Sequence, residues 1–279
     1  MSKLTIKELF DLKGKRQITC TTAHDYYTAC ACEKAGIDMF VTSGEFIRQY
    51  IVGDFTKTTE NMSDLLTVLE GVRKGAPDCF IYASIPHGLG NISDEEAIKA
   101  CMATLNNGAD AIYYSGMSLD RIRACADQKI PIVGHAGMIP WFASWLGGFH
   151  AVGKTADAAY QVYQDALAMQ KAGCIAIELE CVPYKVAEEI SKRLDIIVIS
   201  MGSGHKCDGE YLFSQDLLGL HNNHYPRHSL RYKNLFELTC EGIQEFADDV
   251  NSGSIAQKQK LINIPEEELD KFKELLNRQ

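Results

Sequence analysis

No apolar run in this chain approaches the ~20 residues that a helix needs to cross a bilayer, so no membrane span is expected. The opening residues Met1-Ser2-Lys3-Leu4-Thr5-Ile6-Lys7-Glu8 lack the apolar core of a signal peptide. No C-x-x-C pair occurs among the ten cysteines; Cys30-Ala31-Cys32 comes nearest, and the others are scattered through apparent strands and helices. That pattern argues against the disulfide framework of a small secreted domain. It suits a reduced, cytosolic (cytoplasmic) protein that uses cysteine as a small apolar filler. A basic stripe with interleaved aromatics is missing and the formal net charge is −9, which argues against a nucleic-acid surface. Internal repeats, low-complexity tracts and linkers are absent too. What remains is 279 residues, 46% hydrophobic, ample for one large core.

The most informative stretch is Cys174-Ile175-Ala176-Ile177-Glu178-Leu179-Glu180-Cys181-Val182-Pro183. Apolar, rich in β-branched residues and closed by proline, it reads as a buried strand. Yet it carries two carboxylates near its C-terminal end. Side chains two apart on a strand share a face, so Glu178 and Glu180 point the same way. A buried carboxylate is costly unless paired, metal-bound or protonated. Two on one face predict a site in which either has its pKa raised toward that of a working acid or base. The alternative is a structural acid satisfied by a neighbouring Lys or Tyr.

Strands are predicted at Gln17–Ala23, Asp38–Ser43, Cys79–Ile85, Ala109–Tyr114, Ile130–Gly134, Ile175–Cys181 and Asp195–Met201, with a weaker eighth around Tyr211–Ser214. Helical patterns lie between them, among them Ser93–Asn107, Ala156–Ala172 and Lys185–Leu194. Ser93 with Glu96 three residues on has the form of a capping box, and Gly36, Gly108 and Gly173 stand where C-caps are expected. About eight such units fit a closed (β/α)8 TIM barrel of the α/β class, with a doubly wound open sheet as the alternative. The expected organisation is one barrel domain over residues 1–279 with a helical tail from about residue 252, ending in a helix over Pro265–Asn277. In a barrel the site lies at the C-terminal strand ends. Those ends read Thr22-Ala23-His24-Asp25, Ser43-Gly44-Glu45, Ser84-Ile85-Pro86-His87, Tyr113-Tyr114-Ser115, Gly134-His135-Ala136-Gly137, Glu178-Leu179-Glu180 and Ser200-Met201-Gly202-Ser203-Gly204-His205. Acids, histidines, hydroxyls and glycines at one rim suit a small polar substrate.

Six segments carry a resemblance. They are Thr22-Ala23-His24-Asp25-Tyr26, Val72-Arg73-Lys74-Gly75-Ala76-Pro77, Gly134-His135-Ala136-Gly137-Met138-Ile139-Pro140, Gly147-Gly148-Phe149-His150-Ala151-Val152-Gly153, Leu179-Glu180-Cys181-Val182-Pro183 and Gly202-Ser203-Gly204-His205-Lys206-Cys207-Asp208-Gly209. In order and spacing, from Thr5 to about Ile255, the chain resembles the ketopantoate (3-methyl-2-oxobutanoate) hydroxymethyltransferases of the phosphoenolpyruvate mutase and isocitrate lyase superfamily. The resemblance implies a TIM barrel and a homo-oligomer, often a decamer of two pentameric rings. It also implies a step of pantothenate biosynthesis in which methylene-tetrahydrofolate supplies a hydroxymethyl group to a 2-oxo acid held on Mg²⁺.

It places the family's catalytic base at Glu180 and its substrate-contacting histidine at His135. The metal positions differ. The family's Val-Gly-Asp-Ser motif is replaced by Val41-Thr42-Ser43-Gly44-Glu45-Phe46, so its aspartate falls on Gly44 or, one residue on, Glu45. The second metal aspartate is Ser84, the supporting acid is Ser115, and the substrate-binding lysine is Tyr113. Mg²⁺ usually needs one or two carboxylates. Glu45 alone, with Glu178 as a possible recruit, makes a Mg-poor site, and neutral donors such as Ser84, Tyr113, Tyr114 and His135 are left to hold an enolate. The expected substrate-binding set is Ser43, Glu45, Ser84, Tyr113, Ser115 and Glu178.

Three functions fit these residues. The first is hydroxymethyl transfer with an altered metal site. The second is an aldol-type transferase or C–C lyase on a different oxo acid, and the third is a non-catalytic oligomeric binding protein. His24-Asp25 could form a supporting pair, and His205 could help a glycine-rich turn bind an anion. His87 and Cys207 could join Glu45 on a metal, Trp141 and Trp145 could wall the pocket, and His224 and His228 fall in a polar stretch suited to a lid or an oligomer contact.

Overall fold

Ile, Val, Phe and Ala crowd eight short segments, which suits backbone buried on both faces of a parallel sheet. The computed structural model describes residues 3–44, 53 and 61–278. Its strands are β1 (Ile18–Thr22), β2 (Met39–Thr42), β3 (Phe80–Ser84), β4 (Ala111–Tyr113), β5 (Ile132–Gly137), β6 (Ala176–Glu180), β7 (Ile197–Met201) and β8 (Gly209–Tyr211). Each lies parallel to its neighbours and β8 pairs back to β1, closing the expected (β/α)8 barrel and excluding the open sheet.

Two strands differ from expectation. β8 starts two residues early because Gly209 pairs with both Ile18 and Ile199, while Ser214 gives its backbone N–H to the Thr22 hydroxyl and opens a short helix, Ser214–Leu218. β5 runs three residues further because His135, Ala136 and Gly137 pair with Glu178, Leu179 and Glu180. A glycine- and histidine-rich run reads as loop until a partner strand is beside it.

Alternation along the strands divides the core. Ile18, Met39, Phe80, Tyr82, Val133, Ala176 and Ile199 fill the barrel. Ile112, Ile132, Ile177, Leu179 and Val198 face the helices, and burying each such side chain contributes about 1.5–3 kcal/mol. Helix starts are capped as the sequence reads. Ser93 accepts from the Glu96 N–H, forming one half of the expected box, while Thr5 and Glu8 form a complete one. Gly36 and Gly173 end helices Tyr26–Ala35 and Ala156–Ala172 in the left-handed conformation.

Three aspartates fasten the N-terminal ends of the strands. Asp38, Asp110 and Asp208 each precede an even-numbered strand and accept a backbone N–H from the strand before it, from Thr19, Ile81 and Val198. Each also meets a cation: Arg16 at 2.6 Å, Arg73 at 2.6 Å and Lys13 at 2.5 Å.

The chain divides into two units. The barrel unit runs to Leu217 and takes in His224–Leu230; the second comprises Leu218–Asn223 and the chain from Arg231. The second unit holds an eighteen-residue helix, Leu235–Ser252, with Leu238, Ile243, Phe246 and Val250 exposed, and a helix at Glu266–Leu276, within the span expected for the tail. No helix among the described residues is long and apolar enough to cross a membrane.

Removing Asp110 leaves the Ile81 N–H without its acceptor and the half-buried Arg73 guanidinium without its counter-charge, with only backbone carbonyls such as those of Gly108 and Cys79 still accepting from it. Asp110→Ala is therefore expected to cost about 2–4 kcal/mol and lower Tm by roughly 5–15 °C in a thermal melt. Turnover per folded molecule should stay unchanged, because the change lies at the end of the barrel opposite the candidate site.

Candidate active site

β6 sends Ala176, Glu178 and Glu180 into the barrel and Ile177 and Leu179 toward the helices. Both acids therefore sit inside, 1% and 5% exposed, the structural outcome of their spacing. Glu178 is the deeper of the two. Its Oε1 accepts a hydrogen bond from the Tyr82 hydroxyl at 2.7 Å, and that hydroxyl also lies 3.1 Å from Cys20 Sγ. Burial pushes the Glu178 carboxyl up to about 7, against the pull of His135, Tyr82 and Tyr113 and with a further push from Glu180.

Register places His135 beside Glu178 and Gly137 beside Glu180. The His135 Nε2 lies 3.0 Å from Glu180 Oε2, a close contact without the alignment of a full hydrogen bond. On the other side of the ring, Nδ1 meets two hydroxyls, Tyr113 and Ser115, each at 2.8 Å. Burial lowers the His135 pKa, but Glu180 and Glu178 outweigh it and the net direction is upward.

The backbone under Glu180 is held by a close approach. Gly137 has φ +90°, and a Cβ there would come within 2.3 Å of the Glu180 carbonyl oxygen, which accepts the Met138 N–H at 2.9 Å. The next residue, Cys181, has φ +50°, a conformation that costs a side-chain-bearing residue on the order of 1–3 kcal/mol. Strain is thus stored immediately after the acid.

A cavity of about 760 Å³ opens above this floor. Glu178, Glu180, His135 and Tyr113 line it below; Phe149, His150, Lys154, His224, Arg227 and His228 line its outer part. A second cavity of about 40 Å³ adjoins Ser43, Ser84, Tyr113 and Ser115, with His87 stacked on Trp141 at 4.3 Å between ring centroids. Ser43 and Tyr113 border both.

Seven of the eight expected site residues therefore converge: Glu180, His135, Glu178, Tyr113, Ser43, Ser84 and Ser115. Glu45 lies outside the described residues. His24 borders the large cavity, while Asp25 caps helix Tyr26–Ala35 through the Thr28 N–H. Trp141 walls the small cavity, but Trp145 is exposed. Cys207 precedes β8 at the far end of the barrel from His87, so the two share no site. His224 and His228, read as lid or oligomer contacts, border the cavity. Lys154, Arg227 and His150 had no sequence reading as individual site residues; the signals were that His150 falls in the glycine-rich segment Gly147–Gly153 and Arg227 in the polar stretch with His224 and His228.

A closed parallel barrel with a buried carboxylate–imidazole pair under a polar cavity at the C-terminal strand ends defines a barrel enzyme for a small molecule. The family model described as ketopantoate hydroxymethyltransferase matches residues 3–258. A 3-methyl-2-oxobutanoate hydroxymethyltransferase from Clostridium botulinum is 34% identical over 274 residues, covering 97% of this chain and 99% of the relative. Another, from Methylibium petroleiphilum, is 32% identical over 279 residues, covering 99% and 95%. The chain belongs to the ketopantoate hydroxymethyltransferase family. Its fold is also that of a phosphonopyruvate hydrolase solved with oxalate and Mg²⁺ (TM-score 0.59, 16% identity, 100% of this chain and 97% of that one). A 2,3-dimethylmalate lyase of the PEP mutase/isocitrate lyase superfamily is similar (TM-score 0.59, 12% identity, 89% and 88%).

Because folding raises the Glu178 pKa from the ordinary 4.5 to about 7, the folded state holds that proton more tightly than the unfolded chain. Stability from this group is present at low pH and is lost as pH rises from about 4.5 through 7. Glu178→Gln is expected to gain on the parent over that window by on the order of 3 kcal/mol, read as the difference between denaturation midpoints at pH 5 and pH 8.

Proposed function

We propose that this protein removes a hydrogen from the carbon next to the carbonyl of a small 2-oxo acid and transfers a hydroxymethyl group to that carbon. Glu180 is the base. The observation that carries this reading is its position: a strand-end carboxylate facing the cavity, 3.0 Å from His135 Nε2 and held by a fixed backbone. The imidazole contact orients Glu180, and the hydroxyls on Nδ1 orient the imidazole. The 2-oxo acid substrate of the relatives named above supports the substrate class. Methylene-tetrahydrofolate is the proposed one-carbon donor: the cavity has room for a ligand larger than a small oxo acid, and Lys154 and Arg227 on its outer part suit carboxylate groups.

The donor set does not fit a tightly held Mg²⁺. Ser43, Ser84, Tyr113 and Ser115 offer only hydroxyls, and the Ser84 oxygen lies 3.4 Å from the Gly44 N–H. Among the described residues no three His, Cys, Asp or Glu side chains gather as ligands. Among the described residues, a hard cation that favours carboxylates has none in this cradle. No step is therefore assigned to it, and the enolate oxygen is left to neutral hydroxyls, as in sites that hold an enolate without metal.

A homo-oligomer, with a decamer favoured, is the proposed assembly, supported by family membership and by the exposed Leu238, Ile243, Phe246 and Val250 on one helix. Light scattering at micromolar concentration should give a mass several times 31.0 kDa; a monomer would rule the assembly out.

Solvent deuterium exchange into 3-methyl-2-oxobutanoate tests the chemistry. Glu180→Gln should keep the fold and ligand binding but slow exchange by roughly 10²–10⁴-fold. His135→Ala should weaken binding and rate together. Exchange undiminished in Glu180→Gln, or lost only with the fold, makes Glu180 a structural acid. Calorimetry should find no micromolar Mg²⁺ site in the parent and a gain in affinity in Ser84→Asp.

A further inference from the structure

Nothing in proton abstraction by Glu180 requires a second carboxyl on the same strand, yet Glu178 is buried beneath it at the cost of desolvation. Its hydrogen bonds show what it can do. Oε1 accepts from Tyr82, so a neutral Glu178 carries its hydrogen on Oε2. The Tyr113 phenol stands beside the same carboxyl: its ring meets that of Tyr82 edge-on with centroids 6.0 Å apart, and its hydroxyl lies 2.8 Å from the Nδ1 of His135, the residue that pairs with Glu178 across β5 and β6. Tyr113 borders both cavities and is less buried than Glu178, so its hydroxyl is the more accessible of the two to a ligand.

The other side of Tyr113 is the second observation. Two hydroxyls meet His135 Nδ1 at 2.8 Å, but that nitrogen makes one strong hydrogen bond. With a neutral ring, Nδ1 accepts one hydroxyl hydrogen, and Ser115 can supply it. With a protonated ring, Nδ1–H donates and needs neither hydroxyl hydrogen. In both states the Tyr113 hydrogen is free to turn to a ligand without disturbing the imidazole that orients Glu180.

We propose that Glu178 is the acid partner of the reaction: in its neutral form it backs the Tyr113 phenol, which passes a hydrogen to the substrate's oxo oxygen as Glu180 removes the hydrogen from the neighbouring carbon. This rests on Glu180 being the base. The C–H bond breaks toward Glu180, and its electron pair forms the C=C bond. The carbonyl π pair moves to oxygen, which takes the Tyr113 hydrogen, and the phenol oxygen takes the hydrogen of Glu178. Glu180 ends neutral and Glu178 ends as the carboxylate, so the product is an enol and the floor holds one negative charge before and after. Reversal with a solvent-derived deuteron returns labelled substrate. Among the described residues the floor holds no lysine or arginine to absorb a second negative charge, and this exchange never creates one.

The groups facing Glu178 are Cys20, Tyr82, Tyr113, His135, Glu180 and Tyr211; β2 and β7 present only apolar side chains there. Of these, Cys20, Tyr82, Tyr113 and Tyr211 are pushed further above their ordinary high values by burial and stay neutral near pH 7. The loss of a proton from Glu178 should therefore appear as a fall in exchange as pH rises through about 7.

The experiment follows deuterium exchange into 3-methyl-2-oxobutanoate by NMR from pH 5 to 9, for the parent, Glu178→Gln, Tyr113→Phe, the double variant and Glu180→Gln, with near-UV circular dichroism reporting the fold. Glu178→Gln is expected to lose roughly 10²-fold at pH 6 and to lose the fall above pH 7. Tyr113→Phe should do the same, and the double variant should be no slower than the worse single one, because one relay is cut twice. If Glu178→Gln does not fold, Tyr113→Phe alone decides through its pH profile. Exchange within about threefold of the parent with the alkaline fall intact, or losses that multiply in the double variant, overturns the role of Glu178. Should those results appear while Glu180→Gln is inactive, the base assignment survives. Exchange retained in Glu180→Gln, or absent from the parent at every pH, brings down both.

Discussion

The hydrogen bond from Tyr82 to Glu178 makes the rest of the site possible. A carboxyl placed where almost no water reaches it must be neutral or generously bonded, and here it is held near the border between those conditions. Every group around it follows from that constraint. The neighbouring strands supply phenols and a thiol, which donate or accept without bringing charge, and the one ring that can become cationic stands between the two acids. A lysine or a metal ion among them would draw the proton off Glu178 and remove a buried carboxyl poised to give one up near neutral pH.

The two ends of the barrel use carboxylates in opposite ways. At the N-terminal ends, Asp38, Asp110 and Asp208 meet arginine or lysine and a backbone N–H, an arrangement that pairs each carboxylate with a cation and ties neighbouring strands together. At the C-terminal ends, Glu178 and Glu180 meet hydroxyls and an imidazole. Among the described residues, cations reappear around the cavity on its outer part, at Lys154 and Arg227, where an arriving anion meets positive charge before it meets the acids. In a chain of net charge −9 that local reversal of sign favours entry of an acid over the field of the whole molecule.

Much of this was legible in the chain. β6 announced itself because two acids in an otherwise apolar run break the rule for buried strands, and the period of two then set both on one face. The barrel followed from alternation of short apolar runs with capped helices. β8 was misplaced because three residues carry too little pattern, and its limits are set by pairing with Ile199 in the preceding strand and with Ile18 in the first, far away in sequence. Lys154 and Arg227 were invisible for a related reason. A charged residue in a connecting segment reads as solvated until the fold turns that segment over a cavity. The redundancy of Tyr113 and Ser115 on one nitrogen likewise exists only in three dimensions.

Gly137 contributes no functional group, yet the position of the proposed base depends on its lacking a side chain. The space a methyl would need is already occupied by the carbonyl oxygen of Glu180, so an empty volume does the work of a clamp. Two adjacent strands are locked in phase by an omission. An inventory of a site by its acids, bases and hydroxyls passes over such a position, although any residue larger than hydrogen there would move the carboxylate. The proposed catalytic constellation of this barrel thus has a member defined by subtraction.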